Sequence, residues 1–248
     1  MASLRPVKRL VADRKRGEGK AEVPTKKRSK HILWMASRGD LGKRNIAIIW
    51  MLFGSGLRIN EVAKLTRKDL LTPSGTLKKT FTVPSSYTKT GKARVAFILA
   101  KQHRTAVENW IADMIDNRVF VSDQNTYRSL MSDMPMFAIT KKGKGWRTMA
   151  FRDKKYTDID SVTRTTKVCG SMQNLISEIF KSSGLHHGST HSGRRCVATW
   201  LDDKGVSLEN IQMILGHDEP DMTLEYIDPN RPRIKNAFDN LLLNVRVS

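Results

Sequence analysis

The chain is poor in cysteine, in acidic residues and in uninterrupted apolar runs, and each shortage closes a class of explanation. Its two cysteines, Cys169 and Cys196, lack metal-ligand spacing and are too few for a disulfide framework. That usage fits a reducing compartment, and a cytoplasmic location is expected. The longest apolar stretch, residues 46–57, is broken by two glycines and a serine and is too short to cross a bilayer. A basic N-terminus is followed by no apolar run, so it does not read as a signal peptide. Membrane-surface binding normally calls for an amphipathic basic helix, and no membrane partner is expected.

Lysine and arginine number 44 against 24 aspartate and glutamate, a net charge of +20. Such an excess speaks of partners rather than fold, and nucleic acid is the commonest polyanion. A solvated basic face is the plainer alternative. Hydrophobic residues make up 39%, enough for a real core.

Residues 1–30 hold much of the charge, including Arg5, Lys8, Arg9, Arg14, Lys15, Arg16, Lys20, Lys26, Lys27, Arg28 and Lys30, opposed only by Asp13, Glu18 and Glu22. With few large apolar residues this segment cannot bury a core, and it reads as a flexible basic arm. A compact domain is expected from near His31. Residues 45–53 are almost continuously apolar and fit a buried helix, stopped by Gly54-Ser55-Gly56. A second helical pattern covers residues 59–65. Two β-type runs, residues 79–87 and 93–99, flank Thr88-Lys89-Thr90-Gly91-Lys92 and read as a hairpin. Helices are expected over residues 106–115, 171–181 and 191–204. Ser207 is placed to cap another running to Gly216, and Pro220 suits the first turn of the next. Residues 232–243 form a last amphipathic pattern. Residues 119–170 give no clear periodicity, and their Lys141, Lys142 and Lys144 mark a basic loop.

Three short segments carry chemistry: Gly56-Leu57-Arg58-Ile59-Asn60-Glu61, Thr190-His191-Ser192-Gly193-Arg194, and Leu215-Gly216-His217 with Tyr226 nine positions after His217. Each is weak alone; their order and spacing in one basic chain are specific. Together they resemble the tyrosine recombinase, or phage integrase, family. Its signature is an arginine after Gly-Leu with an acidic residue three later, a His-x-x-Arg box, Leu-Gly-His, and a tyrosine nine beyond that histidine. The resemblance covers about residues 36–230.

It implies a mainly α fold with a small antiparallel β-sheet. It also implies a site-specific recombinase that cleaves and rejoins DNA through a 3′-phosphotyrosyl bond, without metal, ATP or other cofactor. Arg58 and Arg194 would clamp the scissile phosphate, for which arginine's planar fork is suited. His191 would exchange a proton with the nucleophile Tyr226, a task suited to histidine's pKa near 6.5. His217 would hydrogen-bond the transition state, and Glu61 would buttress the arginines. Lys89 in the hairpin turn would protonate the leaving 5′-oxygen, with Lys92 as the alternative. The implied partner is a double-stranded recombination site, bound by a homo-tetramer with a dimer per site. An accessory DNA-bending or recombinase protein could join it, and the protein would be nucleoid-associated. Two other readings remain: strand relaxation of the type IB topoisomerase kind, and a DNA-binding regulator built on a recombinase fold.

The resemblance divides the chain into a basic arm (residues 1–34), a catalytic domain (35–231) and a C-terminal helix and tail (232–248) that docks in cis or on a neighbouring protomer. Arg58 falls too early for the helical core-binding domain of most family members, as in the short fimbrial invertases. The arm, with Lys8, Arg9, Arg14, Lys15, Arg16, Lys26, Lys27 and Arg28, would replace part of that clamp, and the loop lysines would add DNA contacts. Deleting the arm is then expected to weaken DNA binding sharply and to flatten its salt dependence. Unchanged affinity at every salt concentration would refute this.

Overall fold

The computed structural model describes residues 21–140, 145–157, 161–217, 220–224 and 226–227. Arm residues Lys8, Arg9, Arg14, Lys15 and Arg16, loop lysines Lys141, Lys142 and Lys144, and the segment 232–243 lie outside them.

The first helix begins earlier than the charge pattern suggests. Helix α1 spans Lys26–Ala36, and the Thr25 hydroxyl caps it by accepting from the Arg28 N–H at 3.2 Å. Ile32 and Ala36 are buried, so this basic segment belongs to the folded domain. The boundary placed at residues 30–34 is therefore corrected: a capped helix with two core anchors outweighs its three leading cations. Lys26 and Lys27 stay exposed. Arg28 does not: its Nη1 donates to the Ser183 carbonyl at 2.7 Å, tying α1 to the end of α6 (Gly170–Ser182). Arg28 thus has a structural bond in the fold, beside the DNA contact expected of it.

Helix α2 (Gly42–Gly54) is the spine, with Ala47, Ile48, Met51 and Leu52 fully buried. α1, α5 (Lys101–Asp116) and α7 (Ser192–Asp203) pack around it. Short helices α3 (Ile59–Lys64) and α4 (Arg67–Leu70) follow the glycine break after α2. Strands β1 (Thr80–Val83) and β2 (Arg94–Phe97) make the expected antiparallel hairpin, Thr80 opposite Phe97 and Val83 opposite Arg94. Phe81, Val83 and Ala96 turn inward on the period of two that a half-buried ribbon requires.

The unreadable stretch holds two more antiparallel ribbons: β3 (Ala138–Thr140) with β4 (Trp146–Thr148), and β5 (Arg152–Thr157) with β6 (Thr163–Val168). The fold is mainly α with small antiparallel sheets, as expected, the strands forming separate two-stranded ribbons among the described residues. Helix α8 (Leu208–Leu215) is capped by Ser207, whose hydroxyl accepts from Asn210 N. It ends at Gly216, where φ of 62° calls for glycine, and α9 spans Pro220–Leu224. Among the described residues no helix is long and apolar enough to cross a membrane.

Part of the positive charge is structural. Arg67 is fully buried and donates to the carbonyls of Met131 and Val119 at 3.1 and 3.0 Å. Arg44 donates to Ala138 O at 2.9 Å and to the Asn45 side chain. Burial lowers both guanidinium pKa values to about 10, so both stay charged at neutral pH.

Gly193 sets the approach of α7 to α2: a Cβ there would lie 2.7 Å from the Leu52 carbonyl oxygen. Gly193→Ala is expected to destabilise the domain by about 1–3 kcal/mol, the range for overpacking a tight contact. Urea unfolding will check it; an unchanged midpoint would mean the helices separate freely.

Candidate active site

Arg58 is the N-cap residue of α3, where the chain enters the helix and its first N–H groups need partners. Its backbone N–H donates to Glu61 Oε2 at 2.8 Å, and its Nη1 pairs with Oε1 at 3.1 Å. The Gly-Leu-Arg-x-x-Glu spacing thus supplies the glutamate half of a capping box, the N3 carboxylate accepting from the N-cap N–H, and fixes the guanidinium at the same time. Glu61 is only 1% exposed. It also takes the guanidinium of Arg94, whose Nη2 lies 2.6 Å from Oε2. Arg94 comes from β2, and its Nη1 reaches the Ile214 carbonyl in α8 at 2.9 Å. One carboxylate therefore joins α3, the hairpin and α8. Burial alone would raise the Glu61 pKa. Arg94, Arg58, the Arg58 N–H and Arg194 outweigh it and hold the carboxyl below its usual value.

Arg194 sits in the first turn of α7 and is fully buried. Its Nη1 donates to Gly56 O at 2.7 Å, and its Nη2 to Leu215 O at 2.6 Å and His217 Nε2 at 2.7 Å. Three of its five N–H bonds are so engaged, and Nε has no hydrogen-bond partner. Burial, then repulsion from Arg58, lowers its pKa to about 9 despite Glu61. Because arginine only donates, His217 Nε2 must accept. The His217 proton then lies on Nδ1, 2.9 Å from Thr223 Oγ1.

His191 does not lie within the helix, as the spacing suggested; it is the N-cap residue of α7. Tyr226 follows α9, its N–H bonded to Thr223 O at 2.9 Å and its carbonyl accepting from Thr199 Oγ1 at 3.3 Å. Its ring packs on the small core of Val197, Ala198, Ile211 and Leu215. Its hydroxyl is 3.2 Å from His191 Nδ1, and its ring lies 4.9 Å from that of His217 and 5.7 Å from the Arg194 guanidinium. His191 reaches solvent, yet the protein packed around it, then Arg194, Arg58 and Lys89, hold its pKa below the usual histidine value. At neutral pH its ring is therefore uncharged and able to accept the phenol proton.

A cleft of about 340 Å³ opens beside these groups, lined by Arg58, Lys64, Lys89, Lys154, Lys167 and His191 as well as Tyr87 and Tyr156. Among the described lining residues the one carboxylate, Glu61, is already paired, so the cleft offers cations to an anionic ligand. Lys89 lines this cleft; Lys92 lines a neighbouring groove with Arg94 and His217. Arg58, Glu61, Lys89, His191, Arg194, His217 and Tyr226 are thus brought together from five segments. Arg94, Thr223 and the cleft-facing residues of β5–β6 were missed. A lone strand arginine and a lone threonine carry no signal in the sequence. Among the described residues, no group of three or more His, Cys, Asp or Glu is placed to hold a metal ion.

Opposed arginines, a neutral histidine on a phenol and a cationic cleft define a site suited to phosphoryl transfer by a side-chain oxygen. Residues 23–233 match the sequence description of the phage integrase family, and the chain belongs to that family. It is 28% identical over 206 residues to the tyrosine recombinase XerC of Agrobacterium fabrum, covering 81% of this chain and 50% of that protein. The chain thus spans about half the length of that relative. Among solved structures, the XerA recombinase matches with a TM-score of 0.57 at 18% identity, covering 92% of this chain and 67% of that one. The XerH site-specific recombinase in its post-cleavage complex with palindromic difH substrate matches at 0.56 and 17%, covering 87% and 51%. At these identities the structures speak for the fold.

The Glu61 arrangement has a pH signature. Its folded pKa lies below the unfolded value near 4.3, so its stabilisation is present above that pH and is lost as pH falls through the folded pKa. Glu61→Gln is expected to cost about 3–5 kcal/mol at pH 7, as for breaking a buried ion pair, and the gap to wild type should narrow below about pH 4. Urea midpoints across pH 3–7 will show it; a gap independent of pH would mean the carboxylate charge is not what stabilises the site.

Proposed function

We propose that this chain is a site-specific DNA recombinase that cleaves one strand at a time with Tyr226. The observation that carries the reading is the 3.2 Å contact between the Tyr226 hydroxyl and a histidine held neutral by its surroundings. A phenol with pKa near 10 needs a base to attack, and His191 Nδ1 is in place to take its proton. As the Tyr226–phosphorus bond forms, the bond to the 5′-oxygen breaks, and Lys89 supplies that oxygen's proton. Negative charge that builds on the phosphate meets Arg58 and the two unengaged N–H bonds of Arg194. The energy of the broken phosphodiester bond is kept in the 3′-phosphotyrosyl bond, so attack by a 5′-hydroxyl from another strand rejoins DNA and releases Tyr226 without ATP. The family relationship and the DNA-bound XerH neighbour support a duplex recombination site as substrate. Assembly as a tetramer, and integration, excision or inversion of a mobile segment as the outcome, belong to the same reading.

The test is a nicked suicide duplex made from a site enriched out of random-sequence DNA by binding. Wild type should give a covalent adduct and Tyr226→Phe none; an adduct with the phenylalanine variant, or none with wild type, would contradict the proposal. Single-turnover cleavage should fall with acid only below pH 6.5, because the base form of His191 is required and its pKa is depressed. A midpoint above 6.5 would remove His191 as that base. Arg194→Ala should bind the site but cleave on the order of 100-fold or more slowly, the scale for losing a transition-state donor.

A further inference from the structure

Lys89 lies on an exposed turn with few restraints of its own. Thr88 Oγ1 is placed against the Ser85 and Lys92 carbonyls at 3.0 Å each, which shapes the turn but leaves the lysine side chain in solvent. What it meets is the ribbon β5–β6. Its ammonium sits 5.3 Å from the centre of the Tyr156 ring, within the range of a cation–π contact. Tyr156 is half-buried on a strand whose neighbouring residues are exposed. Lys154, Tyr156 and Thr166 share one face of the ribbon, since Lys154 pairs with Thr166 and Tyr156 stands two residues on from Lys154. All three line the same cleft as Arg58 and His191. The ribbon's base is fastened there: Cys169 N–H donates to the Asn60 side chain at 3.1 Å, two residues from Arg58.

We propose that Tyr156 is a positioning residue for Lys89: the face of its ring holds the ammonium on the cleft side of the turn, where the leaving 5′-oxygen will take its proton. This rests on the reading of Lys89 as proton donor. Position matters because a flexible lysine on an open turn spends only part of its time within reach of one oxygen. An aromatic face attracts the charged form without neutralising it, unlike a carboxylate, so the proton stays available for transfer.

The test compares two suicide duplexes, one with the normal 5′-oxygen at the scissile position and one with a bridging 5′-sulfur. A thiolate leaves without needing a proton, so the sulfur substrate bypasses the lysine. Tyr156→Leu keeps apolar bulk but removes the ring, and should slow cleavage of the oxygen substrate roughly tenfold, the scale of a cation–π contact in a partly desolvated site. It should cleave the sulfur substrate at the wild-type rate. Tyr156→Phe keeps the ring face and should recover most of the lost rate on oxygen. Lys89→Ala serves as the control and should be slow on oxygen and restored by sulfur. If Lys89→Ala is not restored, the reading of Lys89 fails, and the role of Tyr156 with it. If Lys89→Ala is restored while Tyr156→Leu is unaffected, or is equally slow on both substrates, the positioning role is overturned and the ribbon's contribution is structural or to DNA binding.

Discussion

Everything in the site hangs on one buried carboxylate. Glu61 caps the helix that starts at Arg58, pairs with the Arg58 guanidinium and receives Arg94 from the hairpin that carries Lys89. Arg94 in turn reaches the last turn of α8, just before Gly216 and His217. A buried ion pair is poor evidence for stability, because desolvation offsets much of the attraction. What this one supplies is geometry: it fixes three elements against each other around a point where positive charge must accumulate. Without a carboxylate there, Arg58, Arg94 and Arg194 would repel one another in a low-dielectric setting.

The second constraint is the cost of burying Arg194 without a carboxylate of its own. Two backbone carbonyls and His217 Nε2 hold it, and its pKa is drawn down to about 9. Under the proposed reading, a phosphate entering the site would offset that cost. The same contact fixes the tautomer of His217, while Arg194, Arg58 and Lys89 help keep His191 neutral beneath the Tyr226 hydroxyl. The cations that would bind the phosphate thus also tune the base.

Much of this was legible in the sequence because it is written in local spacing. Gly-Leu-Arg-x-x-Glu is a helix start, and His-x-x-Arg spans a helix entry, while Leu-Gly-His ends one helix on a left-handed residue. Apolar periodicity located α2 and α6 to within three residues and found α5 without its first five. What stayed hidden depends on contacts across the fold or on strands with no apolar face. The ribbon β5–β6 is exposed along nearly all of β5, so it shows no alternation to detect. Arg94 meets Glu61 across 33 residues of chain, a pairing no local pattern announces. Helix α1 was obscured because its cations dominate its first turn, although Thr25 stood ready to cap it. Part of the large positive charge also ties the fold together, since Arg28, Arg44 and Arg67 donate to backbone carbonyls, which composition alone does not reveal.

The most direct test of the account is to digest the trapped protein–DNA complex and map the modified peptide by tandem mass spectrometry. The account predicts a nucleotide remnant joined through its 3′-phosphate to the Tyr226 oxygen. A remnant on Tyr87, Tyr127, Tyr156 or any other side chain, or one joined through a 5′-phosphate, would contradict it.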